Sequence, residues 1–164
     1  MPNMKAALKP RPATAADIGE IIRLGTVMFE EAGMDASDPA WRDATRETLR
    51  RRLEHDVRVC VMDHPRRPGG LVAQAAGIVS DRLPDPSNPA GRAGYVLWTV
   101  TDPGWRGRGL ARAVMTSLLE WFEAGGVPGV ELHATAQGQP LYASLGFEPG
   151  AYPGLRRYRG PHGG

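Results

Sequence analysis

Cysteine is nearly absent. Cys60 is the only one in 164 residues, so no internal disulfide can form, and a small secreted domain stapled by such bridges is excluded. Lysine is almost as scarce, with only Lys5 and Lys9, both near the N-terminus. That excludes a Walker phosphate loop, which needs Gly-Lys-Ser/Thr. No run of about 18 apolar residues is present, and the first stretch of the chain lacks the apolar core of a signal peptide. A cytoplasmic protein with no membrane partner is expected. Aromatics make only 7% of the chain, and none interleaves Arg46, Arg50, Arg51 and Arg52. Such a run without stacking rings reads as a solvated helix surface, and the formal net charge is only +2, so no nucleic-acid partner is expected. Cys60, Asp63 and His64 are too few and too close in sequence to make a metal site, so no metal is expected.

Turn-forming residues, by contrast, are plentiful: 21 glycines and 15 prolines are scattered without period. The length suits one domain over residues 1–164, with 1–6 and 160–164 as loose tails. Ala7–Ala13 is a weak strand candidate that Pro10 and Pro12 confine to a sheet edge. Thr14, with Asp17 in capping-box register, starts a helix with a wide apolar face that includes Ile18, Ile21, Ile22 and Leu24 and ends at Gly33. Asp38-Pro39 starts a second helix carrying Trp41, Ala44, Leu49 and Leu53. Val57–Asp63 and Leu71–Val79 read as an antiparallel hairpin, and Asp81–Gly94 as a surface loop. Within the hairpin Cys60 reads as a packed thiol.

The chain is organised around Tyr95–Ala111. The β-branched and aromatic run Tyr95–Thr101 predicts a buried strand, which Asp102-Pro103-Gly104 breaks. Arg106-Gly107-Arg108-Gly109 follows, and a helical pattern begins at Leu110, so the glycines sit at a helix N-terminus. The unpartnered N–H groups there, with the arginines beside them, suit a phosphate group. The dinucleotide fingerprint fails, since Arg112 stands where its third small residue belongs. The helix turns Leu110, Val114, Leu118, Trp121 and Phe122 inward and stops at Gly125-Gly126. Gly129–Ala134 alternates like a strand, Gln139–Leu145 reads as a short helix closed by Gly146, and Phe147–Arg159 as one or two last strands. This order predicts a mixed α/β (α+β) domain in three layers, antiparallel at first, with a parallel step around the long helix.

Two motifs, Arg106-x-x-Gly109-x-Ala111 and Leu141-Tyr142-x-x-x-Gly146-Phe147, together resemble those of the GNAT superfamily of N-acetyltransferases. The resemblance implies a twisted mixed sheet with splayed central strands flanked by helices. It implies acetyl-CoA as cofactor, coenzyme A as product, and direct acetyl transfer to a primary amine of a small molecule or a peptide. The pyrophosphate would lie against Arg106, Gly107, Arg108, Gly109, Leu110, Ala111 and Arg112, and the pantetheine along the backbone of Trp98, Thr99 and Val100. Tyr142 matches the family's leaving-group acid, since a phenol holds its proton at neutral pH. No carboxylate lies on Tyr95–Thr101, which leaves Glu30, Glu31, Glu131 and His133 as candidate bases. His133 is preferred as an imidazole, beside a water chain to solvent. Phe29, Glu30, Glu31, Met34 and Tyr152 suggest a partly apolar, partly acidic acceptor pocket. A homodimer is kept as an expected assembly. Two other readings stand beside this one: a degenerate acyl-CoA-binding or regulatory domain, and an arginine-rich nucleic-acid binder using the Arg46–Arg52 helix.

Overall fold

Among the described residues, 8–159 of this computed structural model, five strands form one sheet in the order β1-β2-β3-β4-β5. They are β1 (Arg11–Pro12), β2 (Val57–Asp63), β3 (Leu71–Asp81), β4 (Arg92–Thr101) and β5 (Val130–Glu131). The first four run antiparallel to their neighbours, and β5 joins β4 in parallel after a helical crossover. The chain divides after His133 into two compact units, of which the first holds the whole sheet. The two expected tails lie outside the described residues.

Helices α1 (Ile18–Glu31) and α2 (Pro39–Arg52) cover one face of the sheet, and α3 (Leu110–Ala124) the other. Side chains alternate across a strand, so β2 sends Val57, Val59 and Val61 into the α1 core, while Cys60 faces Ser117 of α3. Burial pushes the Cys60 thiol upward in pKa, which suits a packed group rather than a nucleophile. On the α3 side, Gly77 and Gly94 let the helix sit close. A Cβ on Gly77 would fall 2.6 Å from the Phe122 ring, and one on Gly94 2.8 Å from it.

The capping box forms, but on a 3-10 turn over Ala15–Asp17 that leads into α1: Asp17 accepts from the Thr14 N–H at 2.8 Å, and the chain leaves α1 through Gly33 at φ +78°. The Asp17 carboxylate also takes a two-pronged grip from Arg11, at 2.8 and 2.9 Å, and Arg11 reaches on to Asp63 at the end of β2. α2 is capped by Asp38, which accepts from Ala40 N–H at 2.8 Å, with Pro39 in the first turn.

Several expectations need correction. β3 runs on to Asp81 and β4 begins at Arg92, so the loop is only 82–91; Ser80 and Asp81 pair with Ala93 and Arg92. Gly94 lies inside the strand because Phe122 of α3 occupies the place a side chain would take. Of the supposedly buried Tyr95–Thr101 run, Val96 and Val100 alone are buried. Trp121 is half-buried rather than inward, and the Arg58 guanidinium lies 5.4 Å over its ring. β5 is two residues long instead of the six of 129–134, since β4 pairs with it only at Gly94 and Tyr95.

The second unit contains α4 (Gln139–Ser144), ended by Leu145 and by Gly146 at φ +92°. Residues 147–159 form no strand, with Tyr152 and Leu155 more than nine-tenths exposed. They find no strand partner, and Pro149, Gly150, Pro153 and Gly154 interrupt the run. No helix among the described residues is long and apolar enough to cross a membrane.

Candidate active site

β4 is the backbone of the site. It has strand neighbours on both sides only at Gly94 and Tyr95; from Val96 onward β3 alone pairs with it. The edge toward β5 is therefore open where the two strands part. Opposite Ala75, β4 carries one extra residue, and Trp98 takes φ +52° there. This bulge rotates the strand. Leu97 and Trp98 both pack on the α1 core, whereas Thr99 turns to α3, its Oγ1 3.5 Å from Met115 Sδ.

Past Thr101 the chain is pinned. Asp102 donates its N–H to Val72 O at 2.8 Å, and its carboxylate accepts from Gly104 N–H, capping a 3-10 turn over Pro103–Trp105. Arg23 of α1 holds the same carboxylate at 3.1 Å while bonding Glu20 and Leu71 O. Trp105 is buried, edge-on to His64, with Arg108 stacked 4.5 Å over its ring. It acts as a floor for the loop.

Gly107 and Gly109 adopt φ +74° and +76°, which a side chain tolerates poorly. Nothing lies within 4 Å of where a Cβ would stand on either, so the space above them is open. Gly109 is the N-cap of α3 and supplies no side-chain cap to its first turn. Backbone N–H groups and the positive end of the helix dipole thus face open space, flanked by Arg108 and Arg112. This arrangement fits a pyrophosphate. A cleft of about 520 Å³ continues along α3, lined in part by Lys9, Gly109, Arg112 and Thr116.

Arg106 departs from the pattern. Its Nη2 lies 2.8 Å from both Glu31 oxygens at the end of α1, and its Nε donates to Thr101 O at 3.2 Å. Two residues assigned on sequence to different roles are thus one ion pair. Phe29, Trp41 and Trp98 form a cluster of mutually edge-on rings with centroids 5.3 to 6.2 Å apart, all three half-buried. Glu30 and Met34 are exposed beyond it.

His133 lies two residues past the end of β5, and its Nδ1 is hydrogen-bonded to the Tyr95 hydroxyl. Nothing in the sequence marked Tyr95 for this contact, which depends on the parallel register of β4 and β5. Tyr142 and Tyr152 belong to the second unit. Tyr142 is half-buried, edge-on to Phe147 at 6.0 Å, and Tyr152 is exposed.

A strand splayed from its neighbour and running into a glycine cradle at a helix N-terminus is the arrangement expected of the resemblance, and comparison with known proteins agrees. The chain belongs to the acetyltransferase (GNAT) family, whose model matches residues 21–147. Among curated proteins it is 33% identical over 116 residues to serotonin N-acetyltransferase 2, chloroplastic, of Oryza sativa subsp. japonica; the match covers 69% of this chain and 54% of the rice protein. The chain thus spans about half the length of that relative. The GCN5-related N-acetyltransferase of Ralstonia eutropha JMP134 superposes with a TM-score of 0.77 at 33% identity, covering 92% of this chain and 98% of that one. A predicted acetyltransferase from Clostridium acetobutylicum, solved with acetyl-CoA, has the same fold, with a TM-score of 0.79 at 20% identity over 91% of this chain and 96% of that one.

Proposed function

We propose that this protein is an acetyl-CoA-dependent N-acetyltransferase that acts on a primary amine of a small molecule or a peptide. One observation carries the reading: the open edge of β4 leads directly into the uncapped, glycine-lined N-terminus of α3. The family match runs across residue 133, which supports reading both units as one acetyltransferase domain.

When bound, acetyl-CoA supplies a thioester carbonyl open to attack by an amine. The N–H groups from Gly107 to Arg112 and the charges of Arg108 and Arg112 hold the pyrophosphate. Arg106 fixes the loop to α1 through Glu31 and adds positive charge nearby. The backbone at Trp98, Thr99 and Val100, freed from β5 by the splay, bonds the pantetheine amides and polarises the carbonyl. Tyr142 donates a proton to the departing thiolate, and His133 is the final acceptor of the proton that the amine gives up. Phe29, Glu30, Met34 and Tyr152 contribute to the acceptor pocket. The ring cluster around Phe29 favours an apolar or aromatic amine, and the rice relative's name gives serotonin as such an amine. A cytoplasmic setting and a homodimer complete the proposal.

Thermal shift with acetyl-CoA, CoA, NAD and a short oligonucleotide tests it. At a hundred times its Kd a ligand adds about 2.7 kcal/mol of apparent stability, a shift of several degrees. Acetyl-CoA and CoA should each produce it, and Gly109→Glu should abolish it. A shift with the oligonucleotide alone would sink the reading. In an amine screen, Tyr142→Phe should lower turnover far more than acetyl-CoA affinity; an unchanged turnover would remove Tyr142 from the mechanism.

A further inference from the structure

We infer that Tyr95 and His133 form a proton relay at the fork between β4 and β5, Tyr95 taking the proton released by the acceptor amine as it passes its own to His133. The inference rests on the acetyltransferase reading and deepens it.

Three observations carry it. First, the pair spans the point where the strands part. Tyr95 pairs with Glu131 as the last residue of the β4–β5 ladder, and His133 lies just beyond. Second, Tyr95 faces the α1 side, because its neighbour Gly94 faces Phe122 of α3. It therefore shares a face with Leu97 and Trp98, next to where the edge of the strand opens. Third, Tyr95 is half-buried and His133 exposed, so the bond between them runs from the interior toward solvent. The rings stand 5.7 Å apart at 53°, tilted as a hydrogen bond between their polar ends requires rather than stacked.

Two of the other candidate bases are engaged. Glu31 is held by Arg106, and Glu131 has Arg82 Nη2 at 3.6 Å from its carboxylate. Glu30 is exposed near the far end of α1. The titratable and charged groups around the fork are thus Tyr95 from β4, Glu131 from β5 and Arg82 from the β3–β4 connection.

The direction of the bond follows from the groups. A phenol is the stronger donor of the two, and neutral imidazole accepts at its unprotonated nitrogen. Tyr95 O–H then donates to Nδ1, and Nε2 carries the ring proton. As the amine nitrogen forms its bond to the acetyl carbon, its N–H breaks and the proton joins the Tyr95 oxygen. The Tyr95 O–H breaks in turn and its proton joins Nδ1, giving imidazolium; the exposed ring then gives up one proton to water and returns to its Nε2–H tautomer by exchange with solvent. The thiolate leaves with the electron pair of the broken C–S bond.

Two readouts test this on the full chain. In long-range ¹H–¹⁵N spectra at a pH where the ring is neutral, the His133 signals, assigned by their loss in His133→Gln, should show a protonated Nε2 and a hydrogen-bonded Nδ1. Tyr95→Phe should shift the Nδ1 resonance. A protonated Nδ1 in the wild type would overturn the relay. In steady-state assays, Tyr95→Phe and His133→Gln should each lower kcat roughly tenfold to a hundredfold, leave the KM for acetyl-CoA unchanged, and cost no more together than singly. The wild-type kcat should fall toward acid pH, and His133→Gln should lose that limb. Wild-type turnover in Tyr95→Phe, or losses that multiply in the double variant, would overturn the relay alone. Absence of any acetyl-CoA binding would overturn the functional reading together with the relay.

Discussion

The helices on the two faces of the sheet are held by different forces. α3 is seated by shape: Val114, Met115 and Leu118 are fully buried, Phe122 nearly so, and its ring meets bare backbone at Gly77 and Gly94. α1 also buries an apolar stripe, but its first half is tied down by charge. Arg11 joins Asp17 to Asp63, and Glu20 gathers Arg23, Arg67 and the Leu71 N–H. Buried Gln74 adds a bond from its side-chain nitrogen to Ile21 O at 3.2 Å. The far half of α1, with Phe29, Glu30 and Glu31, is anchored more lightly, by half-buried rings and one exposed ion pair. The helix with the glycine-lined N-terminus is thus fixed by packing, and α1 is pinned at one end.

That contrast can be broken from either side. The largest effect should come from Phe122→Ala, which empties a fully packed site and should cost about 3–5 kcal/mol in denaturant unfolding. Gly77→Ala should cost about 1–3 kcal/mol by overpacking, since the new methyl meets Phe122 and Leu118. If either variant unfolds like the wild type, α3 is not seated as described. On the other face, Trp41→Leu should cost no more than about 1.5 kcal/mol, the worth of edge-on ring contacts, and should change KM for the amine more than stability. A larger loss of stability would make the ring cluster core rather than pocket.

Acid gives the smallest effect at neutral pH and the sharpest distinction. The Arg11 guanidinium beside Asp17 holds its carboxyl below the ordinary carboxylate range, and burial opposes this without reversing it. A carboxyl with a depressed folded pKa contributes stability that is complete above its unfolded value of ~3.9 and is lost as pH falls through the lower folded value. Glu20 is lowered in the same sense, since Arg23, the Leu71 N–H and Arg67 outweigh the cost of its burial. Stability should therefore drop below about pH 4, and Asp17→Asn should flatten that drop. An unaltered acid limb in Asp17→Asn would show that the clamp does not govern it.

Much of this was legible in the sequence, for particular reasons. Arg106 to Ala111 could be read because positive-φ glycines and a following helix leave fixed spacings, and Thr14 with Asp17 because a cap is local. The hairpin of β2 and β3 followed from alternation. The rest depended on partners. β5 is short because β4 diverges from it, which residues 129–134 cannot announce. The tail from Phe147 forms no strand for the same want of a neighbour. Arg106 beside two glycines reads as a phosphate ligand, while its pairing with Glu31, 75 positions away, leaves no local trace in the sequence. Tyr95 meets His133 across 38 positions through a crossover register no local pattern encodes.

The extra residue at Trp98 has a practical consequence for anyone varying this strand. Before it, odd-numbered positions point toward α1; after it, even-numbered ones do, as Leu97, Trp98 and Val100 show by sharing one core. A combinatorial library designed on strict alternation from Tyr95 would place Val100 on the α3 side and Thr99 in the α1 core. Its variants would fail in expression for a counting error, and a scan that shifts frame at Trp98 should recover them.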